Sequence, residues 1–275
     1  MIVFITGTSR GLGLHLKQAL ARQGHTVLGC SRTPAAGSGD LALDVTDAEA
    51  CTSALQGLRS QHGRLDAVIN NAGHHLVGAA LETTPAELRS QMELNFFGSV
   101  NVMRAAASLM VAQGSGRIVN LSSIGGVLAT PFAGAYNASK FALEGYAAAL
   151  RGECAPFGVH VCNLIPAFIH TGTHEQSLVG TRGEHPLFSP HRHSVMAHMQ
   201  AGGASGLPMD AVAHAVARLL VARRPRFHHS VDGLATRLML LRTVMPARLF
   251  EALVTRATAP GWGRAAARLA QADPA

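Results

Sequence analysis

Tyr136 and Lys140 lie four residues apart in the run Tyr136, Asn137, Ala138, Ser139, Lys140, and Ser123 stands 13 positions ahead of the tyrosine, just past the apolar run Ile118 to Leu121. On a helix, residues four apart project from one face, so the Lys140 ammonium can approach the Tyr136 phenol and favour its ionised form. Tyrosine ordinarily titrates near about 10, too high for proton transfer at cellular pH, and a fixed neighbouring cation corrects this. The trio therefore suits general acid/base work. The same spacing also occurs on ordinary solvated helix faces, so the reading needs support elsewhere. Lys17 and Lys140 are the only two lysines, the remaining positive charge being arginine. Arginine cannot give up its proton and has a planar head, whereas lysine is a compact point charge on a flexible stem.

That support comes from the start of the chain. Ile2, Val3, Phe4 and Ile5 form a short apolar run that passes directly into Thr6, Gly7, Thr8, Ser9, Arg10, Gly11, Leu12, Gly13. This reads as strand, tight turn and helix. Glycines at 7, 11 and 13 let the backbone turn sharply and approach a pyrophosphate, and the amides at the helix start favour the anion. Leu12, Leu16 and Leu20 line one side of that helix, which ends near Gly24. A glycine-rich turn in this setting is a dinucleotide fingerprint.

With these motifs the sequence resembles the short-chain dehydrogenase/reductase superfamily, in its single-domain branch. Asp44 after a third strand, Asn70, Asn71, Ala72 and Gly73 after a fourth, Asn95 in a helix, then Ser123, Tyr136, Lys140 and Pro166 to Thr171 continue the match in order. Ala167 departs from it, since the family usually has glycine after that proline. The resemblance implies roles. Tyr136 is the general acid in reduction and the base in oxidation, Lys140 lowers its pKa and holds the nicotinamide ribose, Ser123 binds the substrate oxygen, and Asn95 supports a water that relays protons. Ser122 is read as structural. Gly7, Ser9, Arg10, Gly11, Leu12 and Gly13, Asp44 and Val45 beside adenine, Asn71, Ala72 and Gly73, Tyr136 and Lys140, and Pro166, Ile169 and Thr171 are the expected cofactor contacts.

Cofactor choice is read at the end of the second strand, where NAD enzymes place an acid for the ribose 2′-hydroxyl. Ser31 and Arg32 stand there instead, and Arg10 lies in the glycine turn, so two guanidinium groups and a hydroxyl can surround a 2′-phosphate. NADP(H) is the expected cofactor.

Apolar runs at 2–5, 26–30, 41–43, 66–69, 116–121 and 159–165 alternate with helical stretches, one of which opens on Thr84, Pro85 and Glu87 as a capping box. The expected fold is α/β, a Rossmann-type doubly wound parallel sheet flanked by helices in a single domain over 1–275. The 48% of hydrophobic residues suffices for a large core. With no signal-like segment before the first strand and no run of apolar residues long enough to span a bilayer, a cytoplasmic protein is expected. Cys30, Cys51, Cys154 and Cys162 lack metal-ligand spacing and read as buried free thiols.

Between 166 and 207 the alternation stops, and by position this is a substrate lid. His170, His174, His185, His191, His193 and His198 fall in it without the spacing of a common metal site, so no metal is expected, and contact with substrate is the alternative. His74 and His75 are expected to be structural. Over 222–275 there are 9 basic and 3 acidic residues, which is +6 of the net +7. Leu234, Leu238, Leu241 and Met245, then Leu249, Phe250, Leu253 and Val254 beyond Pro246, form apolar helical stripes in a C-terminal extension over 232–275. Such helices cover the pocket, pack in a homodimer or homotetramer, or lie on an anionic membrane surface. Nucleic-acid binding is not expected, since no recognised module accompanies the charge. The C-terminal pattern, with Gly125, Gly126, Pro131 and Phe132, resembles hydroxysteroid and retinol dehydrogenases, which implies a bulky apolar alcohol or ketone. The alternatives are a biosynthetic carbonyl reductase of a smaller polar substrate and a non-enzymatic NADP(H) sensor. Intact Asn95, Ser123, Tyr136 and Lys140 speak against the sensor.

Overall fold

Seven parallel strands build the main sheet of this computed structural model, which describes residues 1–171, 178–259 and 261–262. The strands are β1 (Ile2–Thr6), β2 (Thr26–Ser31), β3 (Leu41–Ala42), β4 (Ala67–Asn70), β6 (Gly116–Leu121), β7 (Val159–Ile165) and β11 (His228–Ser230), and their spatial order is β11-β7-β6-β4-β1-β2-β3. The order reverses between β1 and β4, the switch point where such sheets open a crevice for ligands. Six strands were legible as apolar runs. The seventh, with two histidines and a serine, carries no apolar signal and exists because its backbone completes the ladder beside β7.

Alternation along each strand divides the core. Val3 and Ile5 point to the face covered by α1 (Gly11–Arg22), meeting Leu16 and Leu20, whereas Phe4 points to the face covered by α2 (Ala48–His62), α4 (Ser99–Gln113) and α5 (Gly134–Cys154). All five side chains are fully buried, each contributing about 1.5–3 kcal/mol of apolar transfer. All four cysteines are buried and free. Burial pushes the Cys30 thiol up to about 12 and that of Cys51 to about 11, so neither offers a thiolate near neutrality.

Helix α3 (Pro85–Met92) begins as its sequence dictates: the Thr84 hydroxyl accepts from the Glu87 amide at 3.2 Å and the Glu87 carboxylate accepts from the Thr84 amide at 3.0 Å. It runs into a π-helical turn, Glu93–Gly98, before α4. The wider turn re-aims Asn95, a buried residue that an uninterrupted α-helix would place elsewhere.

The region expected as an irregular lid is more ordered than its composition implies. It holds β8 (Ile169–His170) paired with β10 (Leu207–Pro208), β9 (Leu178–Gly180) paired with β5 (His75–Val77), and α6 (Ser189–Ala204). His174 lies outside the described residues. Helix α7 (Met209–Val221) packs against α1, and α8 (Gly233–Val244) and α9 (Ala247–Thr258) follow, broken at Pro246 as read from the sequence. No described helix is long and apolar enough to cross a membrane.

Candidate active site

At the C-terminal ends of the strands lies a cleft of about 1130 Å3. Gly7, Ser9, Arg10, Gly11, Leu12 and Gly13 line it from the β1–α1 turn, Ser31 and Arg32 from the end of β2, and Asp44 and Val45 from the loop after β3. Asn71, Ala72 and Gly73 join them after β4, Asn95, Ser123, Tyr136 and Lys140 at the centre, and Pro166, Ile169 and Thr171 after β7. Residues spread over the chain as candidates for chemistry or binding thus share one cavity.

The β1–α1 turn is shaped for close backbone approach. A Cβ on Gly13 would stand 2.2 Å from the Gly7 carbonyl oxygen and 2.5 Å from the Asn71 side-chain nitrogen, so only glycine fits. Gly7 adopts φ +74, open to glycine at little cost. The Asn71 side-chain nitrogen donates to the Thr6 carbonyl at 2.9 Å, and the Thr6 hydroxyl accepts from the backbone amides of Asn71 and Ala72 at 3.0 Å each, tying the two loops together. No side chain caps the start of α1, which leaves its first amides directed at the cleft.

The structure carries two polar atoms that fit a phosphorylated dinucleotide. The Ser31 hydroxyl at the β2 end and the Thr171 hydroxyl at the opposite end of the cleft are buried without a hydrogen-bond partner among the described residues. The acids on the neighbouring loops are engaged: Asp40 pairs with Lys17 and accepts the Thr8 hydroxyl at 2.6 Å, while Asp44 accepts the Thr46 amide at 3.0 Å. The second lysine is thereby spent on structure.

The central trio is assembled by three consecutive residues at the end of β6. The Leu121 carbonyl accepts the Lys140 ammonium at 2.7 Å, Ser122 donates its hydroxyl to Glu144, and Ser123 hydrogen-bonds Tyr136. Ser122 thus has the structural role read for it. Asn95 is fixed from both ends, its side chain donating to the His74 carbonyl at 2.9 Å and to the Ser139 hydroxyl at 3.2 Å, and accepting from the His74 amide at 3.0 Å.

Two expectations need correction. The protein's own groups do not bring the Tyr136 phenol toward neutrality: burial raises its pKa, opposed by the bond with Ser123. The Lys140 nitrogen lies 5.9 Å from the centre of the phenol ring and is anchored on a backbone carbonyl. Burial brings the ammonium itself down to about 8, with Glu144 acting in the opposite direction. His75 also exceeds the structural part assigned to it, because its ring stacks on that of Tyr136 with centroids 3.7 Å apart and planes 11° apart. No sequence signal marks this contact, which depends on β5 running beside α5.

Residues 1–179 match the family described as short chain dehydrogenase. The chain belongs to the short-chain dehydrogenase/reductase superfamily. A 3-ketodihydrosphingosine reductase of Bacteroides thetaiotaomicron is 44% identical over 174 residues, an alignment covering 62% of this chain and 65% of that protein. The alignments with this and two further oxidoreductases, from Schizosaccharomyces pombe and Botryotinia fuckeliana, span 55 to 66% of those proteins' lengths. Among solved structures, a short-chain dehydrogenase from Streptomyces avermitilis superposes with a TM-score of 0.79 at 30% identity, covering 88% of this chain and 91% of that one. ElxO with NADP bound superposes at 0.70 and 25% identity, covering 86% and 98%.

In this short-chain dehydrogenase the far wall of the cleft is apolar. Leu128, Phe168, Met199, Leu234 and Leu238 line it together with Ala257 and Thr258, so the C-terminal helices cover the cleft, one of the roles read for them. Of the lid histidines, His198 lines the cleft. His185 accepts the Leu187 amide at 3.3 Å and His191 packs on Trp262 with ring centres 5.0 Å apart. Among the described residues no three His, Cys, Asp or Glu side chains converge as a metal site.

Proposed function

We propose that the chain is an NADP(H)-dependent oxidoreductase that interconverts a secondary alcohol and its ketone, with a bulky apolar substrate. The observation that carries the reading is the convergence of Ser123, Tyr136 and Lys140 on the same cleft as the uncapped glycine turn. The orphaned Ser31 hydroxyl beside Arg32 supports the 2′-phosphorylated cofactor. The apolar far wall supports the substrate class, and the name of the ketodihydrosphingosine reductase relative is consistent with a ketone.

When bound, the nicotinamide supplies or accepts the hydride. Amides of residues 9–13 would hold the pyrophosphate, Arg10, Ser31 and Arg32 the 2′-phosphate, and Asp44 and Val45 would flank the adenine. Asn71, Ala72, Gly73, Pro166, Ile169 and Thr171, which line the same cleft, would hold the nicotinamide end. The Ser123 and Tyr136 hydroxyls bind the ketone oxygen, stabilise the negative charge that develops there, and Tyr136 gives it a proton. Lys140 would hold the nicotinamide ribose, and Asn95 would support a water that returns the proton to Tyr136. A phenol that burial keeps protonated is suited to donating its proton in the reductive half of the reaction.

NADPH oxidation against a panel of steroids, retinoids, long-chain and small ketones tests this directly. Turnover is expected with a large apolar ketone, and Tyr136→Phe is expected to reduce it by about 100- to 10,000-fold. Near wild-type turnover by Tyr136→Phe ends the proposal, and activity confined to small polar ketones returns the biosynthetic carbonyl reductase alternative.

Cytoplasmic residence and a homodimer or homotetramer belong to the same proposal, with light scattering as the check on assembly. A lipid surface is the second reading for α8 and α9. Arg237, Leu240 and Val244 share the outer face of one helix and Leu249, Leu253 and Arg256 that of the next, the four apolar residues being 41–69% exposed. Co-sedimentation with anionic liposomes, with and without residues 234–275, decides it, and retention that is unchanged by truncation rejects it.

A further inference from the structure

Tyr136, Lys140 and Glu144 sit at i, i+4 and i+8 on one face of α5, and each is gripped by one of three consecutive residues at the end of β6. Glu144 is the member that the proposed mechanism does not use. It is buried, one oxygen accepting the Ser122 hydroxyl and the other meeting His228 Nε2 at 2.8 Å. His228 comes from β11, the strand at the edge of the sheet, and its side chain is 38% exposed. Gly126 closes over the cluster: a Cβ there would stand 3.0 Å from the Ser122 hydroxyl, 3.1 Å from Glu144 Cγ and 3.2 Å from Lys140 Cβ. A carboxylate is costly to bury unless its oxygens are satisfied and a cation is near. Here two donors satisfy it, and the cation one turn back is Lys140.

We propose that Glu144, held by Ser122 and His228, is a positioning residue that keeps Lys140 charged and in place for the reaction. The inference rests on the oxidoreductase reading above. Its physical basis is that the Lys140 ammonium sits in an apolar setting where desolvation favours loss of the proton, and the nearby carboxylate opposes that loss. The charged or titratable groups on the neighbouring elements are engaged elsewhere. His75 of β5 lies against Tyr136 rather than Lys140. Asp232, ahead of α8, is satisfied by the amides of Ala167 and Ala235. Arg151, further along α5, donates to the Pro225 carbonyl at 2.7 Å, and His229 faces the Arg226 carbonyl. Glu144 is therefore the group positioned to act on Lys140.

The sign follows. With Glu144 neutralised, Lys140 loses its proton at lower pH. Burial holds Tyr136 protonated beyond that point, so Lys140 sets the alkaline limb of ketone reduction. In the full-length protein, Glu144→Gln is expected to move the alkaline limb of kcat/KM down by about one pH unit. The pH at which NADPH affinity begins to fall, measured by fluorescence titration, is expected to move with it. Glu144→Asp, which restores the charge, is expected to bring both back toward wild type, a recovery that a purely structural role does not produce. Should Glu144→Gln fail to fold, Glu144→Met carries the same contrast, because an apolar residue of similar volume removes the charge and moves the limb down. A folded, active Glu144→Gln or Glu144→Met whose two profiles superimpose on wild type overturns the inference while leaving the oxidoreductase reading intact. Absence of any NADPH-linked turnover in wild type overturns that reading instead, and the binding profile still tests Glu144.

Discussion

Replacing Lys140 by methionine is expected to stabilise the fold while removing activity. Burial lowers the ammonium from 10.5 to about 8, and at about 1.4 kcal/mol per tenfold the folded state carries a penalty of about 3 kcal/mol at neutral pH. Methionine has a similar reach without a charge. Against the gain stands the Leu121 carbonyl, which loses its donor, costing about 1–2 kcal/mol; the attraction of Glu144 is already contained in the value of about 8. The net expectation is a variant more stable by about 1–2 kcal/mol at pH 7. The pH dependence has a definite sign, because the folded pKa lies below the unfolded one. The penalty is complete below about 8 and disappears as pH rises toward 10.5, so wild type gains on the variant over that window. Urea unfolding of both proteins at pH 7 and pH 9.5 measures this. A variant less stable than wild type at pH 7, or a difference that does not shrink at pH 9.5, refutes the claim that desolvation dominates at Lys140.

Gly13→Ala, whose Cβ would collide with the Gly7 carbonyl, is expected to cost about 1–3 kcal/mol by overpacking and to weaken NADPH binding at least tenfold in a fluorescence titration. Arg32→Ala is expected to weaken NADPH about tenfold with little effect on NADH, as loss of one charge-assisted contact at an exposed site requires; equal effects on both cofactors reject the 2′-phosphate assignment. Burial alone raises Glu87, but hydrogen bonds from Thr181, the Arg182 amide and Thr84 bring it down to about 2. Its contribution is present above 4.5 and lost as pH falls toward 2, so Thr84→Ala, expected to cost about 1 kcal/mol at pH 7, is expected to matter less at pH 3 in thermal melts.

The local chemistry of this protein is written in its sequence. The turn from Gly7 to Gly13, the capping box at Thr84 and the alternation of Val3, Phe4 and Ile5 follow from backbone sterics, capping and period-two burial, each acting over a few residues. The helical spacing of Tyr136 and Lys140 likewise foretold their shared face, and the apolar runs foretold six of seven strands. What tertiary structure alone decided depends on distances between segments far apart in sequence. The π-helical turn aims Asn95, β5 lays His75 on Tyr136, and β11 forms from polar residues because β7 offers an open edge. Register aligns Asn70, Asn120 and Asn163 across three strands, where Asn120 accepts from Asn70 at 2.9 Å and donates to Asn163 at 2.8 Å. The same registry carries the state of the central ammonium. Spacing put Lys140 beside Tyr136, but the depth of burial, the Leu121 carbonyl and Glu144 set its proton affinity, and none of these is a local property of the chain.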